Sequence, residues 1–380
     1  MGFFCLAFGA MIGVGWVTAM GPWLRTAGPL GAAIAFAIGG TLMLLIGFCY
    51  AEVTAMLPVS GGEVAYAYKA FGKGHSFLVG WFLAFGYISV SAFEAISVGK
   101  ILSYLFPAID QWPLYSINGD IIYGSHLLLA LAFVSLITYI NYVGVQNSMR
   151  FQIYLTIVFL AIVLCVIVVG FWKGSVTNLE PLFVGESFPE IGAGIIGVFA
   201  TVPFWLVGFD TIPQGAEEAK ENVTFQTIGI LILVSIIAAV IFYILLILST
   251  SMVADWSSLA ETELFTASAF EHTFQSKFLV NGILVAILIG LLTSWNGFLA
   301  GSRVLFAMGR GRIIAPALGK SHEKFRTPYN AVLFSGIVTF LSSLLGRGAM
   351  IAFVDVGSLC IAAAFLGVSF FVFKIEAIFS

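Results

Sequence analysis

Thr201-Val-Pro203-Phe204-Trp-Leu-Val-Gly208-Phe209-Asp210-Thr211-Ile-Pro213 is an apolar run that carries its own interruption. Two prolines and a glycine take rungs out of an α-helical hydrogen-bond ladder near its middle, so a helix here should unwind. A second run, Gly9-Ala-Met-Ile-Gly13-Val-Gly15-Trp16 followed by Gly21-Pro22, has the same character. Each glycine inside a helix costs about 1 kcal/mol relative to alanine. Unwinding frees backbone groups: N–H donors can hold a carboxylate, and carbonyls an ammonium or a metal cation. Close helix packing through small residues is the other use of such glycines, and the GxGW spacing alone does not separate the two.

Both runs lie in a chain that has to live in lipid. Of 380 residues, 60% are apolar and 9% charged, and the mean hydropathy is +1.07. Soluble domains are about half apolar and a quarter charged. A helix needs about 20 mostly apolar residues to cross a hydrocarbon core of roughly 30 Å. Ten such segments can be marked, near 3–23, 30–50, 77–107, 125–145, 150–172, 191–213, 225–251, 278–308, 329–346 and 349–373. Backbone facing lipid must bond to itself, so each reads as a helix and the fold class is an all-α integral membrane protein. The opening MGFFCLAFGAMIG has no basic residue and runs into the first segment, so it is expected to be part of that span and not a cleaved signal.

Charge sets orientation. With connections allotted alternately, one side collects Lys69, Lys73, Arg150, Lys220, Arg303, Arg310, Arg312, Lys320, Lys324, Arg326 and Lys374, and the other Arg25, Lys100, Lys173, Lys277 and Arg347. That is eleven against five of the 16 basic residues. The excess puts both termini in the cytoplasm of a multi-pass plasma (cell inner) membrane protein. A net charge of −3, with no basic run, gives no reason to expect a nucleic-acid partner. Cys5, Cys49, Cys165 and Cys360 lie far apart inside apolar stretches, without metal-ligand spacing.

Five segments fall on each side of the connection at 174–190. An odd number per half turns the second half over, the arithmetic of an inverted repeat with its site at the midplane. The expected units are residues 1–173, the extracellular connection 174–190, the second five-helix repeat 191–375 and a tail 376–380. In both halves the first segment is the interrupted one.

Among the polar residues at membrane depth, Asp210 and Glu94 stand out, because an unpaired buried carboxylate costs several kcal/mol, about 3 on insertion scales. Either could meet a substrate ammonium or take a coupling proton; a structural hydrogen bond to a neighbouring helix is the plainer role. Phe204 and Trp205 could cover a bound solute. Glu52 and Glu63 flank an inner loop on the same side as Arg303, Arg310 and Arg312, where gating ion pairs are conceivable and topogenic charge explains the arginines equally well. Trp81, Tyr87, Trp112, Tyr115, Trp172 and Trp256 are expected as interfacial anchors. His75, His126, His272 and His322 are scattered, against a membrane-embedded metalloenzyme. Neither a continuous polar lining nor a repeated filter sequence favours a channel.

Three further stretches extend the pattern. These are Tyr50-Ala-Glu-Val-Thr-Ala-Met-Leu-Pro-Val-Ser-Gly-Gly-Glu-Val-Ala-Tyr-Ala-Tyr68 with Phe71-Gly72, the run from Gly208 to Glu218, and Ala300-Gly-Ser-Arg303-Val-Leu-Phe-Ala-Met-Gly-Arg310. With Gly9 to Gly15 they resemble, in order, the amino acid–polyamine–organocation (APC) superfamily of permeases. The resemblance implies a LeuT-type 5+5 inverted repeat of about ten transmembrane helices, with helices 1 and 6 broken. It also implies alternating access and a small-molecule substrate, an amino acid or a related amine such as a polyamine or ethanolamine. By position, backbone at Ile12, Gly13, Val14 and Gly15 would take the substrate carboxylate. Carbonyls near Phe204, Val207 and Ala10 would take its amino group, with Gly208 at the second break. Phe204 would be the aromatic gate, and Asp210 an acid just after it. No cofactor is implied, only a coupling ion, proton or sodium, or plain exchange. Two departures follow. Trp16 stands where smaller residues are usual, and Phe159 where many members place a proton-carrying lysine. Thr293 and Ser294 occupy the place of hydroxyl ligands in sodium-coupled relatives of the fold. Members usually have twelve spans, so this sequence is expected to lack the last two, which lie outside the core repeat and whose absence should spare the substrate site.

Overall fold

A computed structural model describes residues 2–57, 61–117, 120–143, 146–214, 224–262, 264–294 and 296–379. The chain order is α1 (Gly2–Met11), α2 (Gly15–Thr18), α3 (Met20–Met56), α4 (Gly62–Phe71) and α5 (Lys73–Leu105), then the hairpin β1 (Pro113–Ile117) and β2 (Asp120–Tyr123). After it come α6 (Gly124–Val143), α7 (Gln146–Lys173), α8 (Phe188–Leu206), α9 (Thr211–Gln214), α10 (Phe225–Val253), α11 (Trp256–Leu259) and α12 (Phe265–Phe274). The last are α13 (Lys277–Ser294), α14 (Asn296–Arg310), α15 (Tyr329–Ser343) and α16 (Met350–Phe379).

Seven helical stretches among the described residues are long and apolar enough to cross a membrane, and three shorter apolar ones, Gly2–Thr18, Phe278–Leu292 and Tyr329–Ser343, accompany them. The chain is therefore an all-α, multi-pass membrane protein, with one small hairpin among the described residues. That hairpin, and helices α11 and α12, occupy the two longest polar connections, where apolar periodicity gave no sign of structure. The expected connection between the first two segments is compressed to a single residue. Gly28, at φ 75°, turns the chain within α3, and a Cβ there would sit 2.6 Å from the Leu182 carbonyl oxygen. Leu30 N donates to that same carbonyl (3.1 Å), so the 174–190 connection is stitched to the turn.

Local chemistry fixes several helix starts. Ser187 and Glu190 form a reciprocal capping box at α8, and the Thr224 hydroxyl accepts from Thr227 N at α10. The interior is one continuous apolar cluster running from Ala7 through Trp205 to Phe371. The two halves interdigitate in it: α3 packs on α8 and α10, α5 on α14 and α16, α7 on α13, and α6 on α15.

Candidate functional site

α1 stops at Met11 and helix resumes at Gly15, leaving residues 12–14 outside any helix in the buried centre. Interior backbone groups have to be bonded, and three other helices supply partners. Val14 N donates to Glu94 Oε1 of α5 at 3.3 Å. The Tyr243 hydroxyl of α10 donates to the Met11 carbonyl at 3.1 Å. Thr266 of α12 donates to the Trp16 carbonyl at 3.2 Å. Small residues allow the approach. A Cβ on Gly290 of α13 would lie 3.0 Å from the Gly13 carbonyl, and one on Gly15 would enter the Trp205 ring at 2.3 Å.

The second interruption is built differently. α8 runs through Pro203 to Leu206; Val207 is extended and Gly208 takes φ 131°, a conformation open chiefly to glycine. Asp210 then accepts from Gly208 N at 3.0 Å, and the Thr211 hydroxyl donates to the Gly208 carbonyl at 2.6 Å, so the loop closes on itself before α9. A Cβ on Gly208 would lie 2.8 Å from Ala10 Cβ and 2.9 Å from Met11 N. The second interruption therefore packs in the core against the last residues of α1, next to where the first interruption begins, although Gly208 and Ala10 are 198 residues apart (208 minus 10).

Aromatic rings close over the junction. Phe204 and Trp205 lie 5.0 Å apart edge to face, and Phe93 of α5 approaches them at 5.9 and 5.6 Å. Trp23 stacks edgewise on Trp205 at 5.1 Å, while the Trp205 indole N–H donates to Thr201. Of the residues singled out from sequence, Ala10, Ile12, Gly13, Val14, Gly15, Phe204, Trp205, Val207, Gly208 and Glu94 lie at or beside this junction. Trp16 does not join the aromatic cover; its ring turns to Phe159 of α7 at 6.2 Å. Thr293 and Ser294 fall in the last turn of α13, and their side chains, like the whole of Trp295, lie outside the described part, as do Glu217, Glu218 and Glu221.

A second polar cluster lies just past the junction, and sequence reasoning did not find it. Gln214 Nε2 is 3.4 Å from Glu63 Oε2 of α4 and 3.3 Å from the Tyr87 hydroxyl of α5. Glu63 and Asp210 are both 0% exposed. Glu63 is thus a buried acid bonded to an amide, not a surface gate paired with arginine. Burial first, and the Asp210 carboxylate second, hold Glu63 well above the ordinary carboxylate range. Tyr87, expected at an interface, is buried against this cluster, and Trp256 is buried too. By contrast Trp81, Trp112, Tyr115 and Trp172 are exposed, Trp172 by 76%.

Two stretches outside any helix thus lie near each other in the buried centre, beside a cluster of aromatic rings. The sequence is 29% identical over 365 residues to a chloroplastic cationic amino acid transporter of Arabidopsis thaliana, covering 93% of this chain and 61% of that protein. It is 28% identical over 373 residues to a methylthioribose transporter of Bacillus subtilis (96% and 77%), and 29% over 362 residues to a branched-chain amino acid permease of the same species (93% and 76%). The chain thus spans less than two thirds of the first relative's length. Residues 1–376 match the amino acid permease family as a whole, and the chain belongs to that family, within the APC superfamily.

Proposed function

We propose that the chain is a secondary transporter for an amino acid or a related small amine, working by alternating access around the paired interruptions at Ile12–Val14 and Val207–Asp210. The observation that carries this reading is the contact of Gly208 with Ala10 and Met11, the end of α1, which brings the second interruption up to the start of the first in the buried centre. A zwitterion that loses its hydration needs donors at one end and acceptors at the other, and main chain supplies both without a fixed charge. Ile12, Gly13, Val14 and Gly15 are the donors of this reading, and Ala10, Phe204 and Val207 the acceptors. Trp205 and Phe204 are the cover, and Trp16 shapes the pocket from behind.

A 5+5 inverted repeat is the architecture of this reading, with support from the packing. Numbering the spans one to ten, the contacts come in couples related by adding five. Span 1 on 5 (α1, α7) answers 6 on 10 (α8, α16), and 2 on 6 (α3, α8) answers 7 on 1 (α10, α1). Likewise 5 on 8 (α7, α13) answers 10 on 3 (α16, α5). Residence in the plasma membrane with both termini in the cytoplasm follows the positive-inside count.

A specific observation favours an amine in place of a zwitterion as substrate. Glu94 already occupies the Val14 N–H, one of the donors a substrate carboxylate would use, and brings a negative charge to the site. Proteoliposomes loaded with unlabelled amino acids or amines test the whole reading. Trapped solute should accelerate entry of the labelled one, with saturation; conductance without saturation would indicate a channel and overturn it.

A further inference from the structure

We propose that the groove between α6 and α15, together with the basic loop at its inner end, is a binding site for one anionic phospholipid. Such a site lies on the membrane-facing surface, apart from the carried solute, and needs only that the chain spans a membrane.

The groove has a volume of about 470 Å³. Val134, Thr138 and Gly336 form its floor, and glycine lets the two helices close up there: a Cβ on Gly336 would sit 2.5 Å from the Thr138 hydroxyl. Exposed Tyr139, Ile337 and Leu341 form its rims. It runs from Leu131 to Tyr142 on α6 and from Leu333 to Leu341 on α15, eleven and eight residue steps (142 minus 131, 341 minus 333). At a rise of about 1.5 Å per residue the groove is about 12–17 Å long. That is roughly half of a hydrocarbon core of about 30 Å, the depth of one leaflet. An acyl chain fits this depth, whereas a spanning helix of about 20 residues would overrun it.

Charge at the inner mouth selects the headgroup. The Tyr142 ring meets His322 at 5.3 Å, Phe325 at 6.1 Å and Tyr329 at 6.3 Å, and its carbonyl accepts from the Thr327 hydroxyl at 2.6 Å. The loop before α15 is therefore fixed to the end of the groove. It is also closed on itself: His322 N donates to the Thr327 carbonyl and Arg326 N to the His322 carbonyl, both at 2.8 Å. His322 Nδ1 accepts from Lys324 N at 3.2 Å, and Lys324 Nζ lies 5.3 Å over the Phe325 ring. Between Arg310 and Pro328, five exposed basic residues, Arg310, Arg312, Lys320, Lys324 and Arg326, stand against one exposed acid, Glu323. None of these six makes an ion pair among the described residues. A choline or ethanolamine headgroup would bring its own cation into this field. A headgroup with a phosphodiester and no amine meets attraction only.

Native mass spectrometry of the purified protein, titrated with phosphatidylglycerol or with phosphatidylcholine of the same tails, tests the site without using transport. The wild type should hold one phosphatidylglycerol about tenfold or more tighter than one phosphatidylcholine, given several basic residues at the headgroup. The combined variant Lys320→Gln, Lys324→Gln and Arg326→Gln, all at exposed positions, should erase that preference. Ile337→Trp, which fills the groove from its rim, should weaken retention of both lipids. A control pair, Lys73→Gln with Lys374→Gln, removes exposed basic residues elsewhere and should leave the preference as it is. Equal retention of the two lipids by the wild type, an unchanged preference in the combined variant, or its loss in the control pair overturns the proposal. So does binding of glycerol phosphate as tight as that of the whole lipid, which would leave the groove without a role. A dimer abolished by Ile337→Trp while lipid retention is unmoved would put a second copy in the groove and likewise overturn it.

Discussion

Gly208 has two constraints at once, a backbone at φ 131° and a neighbour 2.8 Å from where a Cβ would stand. Gly208→Ala should therefore cost about 1–3 kcal/mol from the strained backbone alone, and push the second interruption away from α1. Ligand-induced thermal stabilisation should disappear in this variant while the protein still inserts. Glu94→Gln keeps an oxygen for Val14 N but removes the charge. If the substrate is a cation, its affinity should fall about tenfold or more, the worth of a charge-assisted hydrogen bond; equal affinity of both forms in a binding titration would take Glu94 out of the site. Both residues were visible in the sequence, Gly208 through the glycine and proline spacing, Glu94 as an acid in an apolar run. Tyr243 and Gln214 were not, and Glu63 was visible only as an inner-loop acid that could pair with arginine. A lone tyrosine in a continuous apolar helix carries no pattern, and the contact between Glu63 and Gln214 joins positions 151 residues apart. Such pairings exist only after the chain has packed.

Among the elements, α8 shows how local signals and tertiary packing divide the work. Its start is written in sequence: Ser187 caps it, and Glu190 completes the box by accepting from Ser187 N at 3.3 Å and Glu186 N at 2.8 Å. Ser187→Ala should lower stability by about 1 kcal/mol, read as a fall in melting temperature, with uptake rates unchanged because the cap is remote from the junction. The end of α8 is equally legible, since Pro203 and Gly208 weaken the ladder there. Helix identity was legible along most of the chain because each span is a long apolar run. Their boundaries were less so. The turn at Gly28 took one residue where a connection of several was expected, and the hairpin Pro113–Ile117 with Asp120–Tyr123 lies in a stretch too short and polar to announce a sheet.

For the molecule as a whole, the arrangement of spans matters more than any one of them. Contacts recur after adding five to each span number, and the proposed rocking of one half against the other rests on that pattern. The interface at the centre of that motion is the meeting of the two interruptions, sealed in this conformation by Trp205 on Gly15. In the proposed cycle, solute entry requires the Trp205 ring to move.

Counterflow of labelled amino acids and amines in proteoliposomes, with the wild type and Gly13→Leu compared side by side, is the most direct measurement. The account predicts saturable, trans-accelerated entry for the wild type and none for the variant, although the variant reaches the membrane in equal amount. Entry at the wild-type rate through Gly13→Leu would contradict it, because a leucine in that linker leaves no room for a solute held by the backbone of the first interruption.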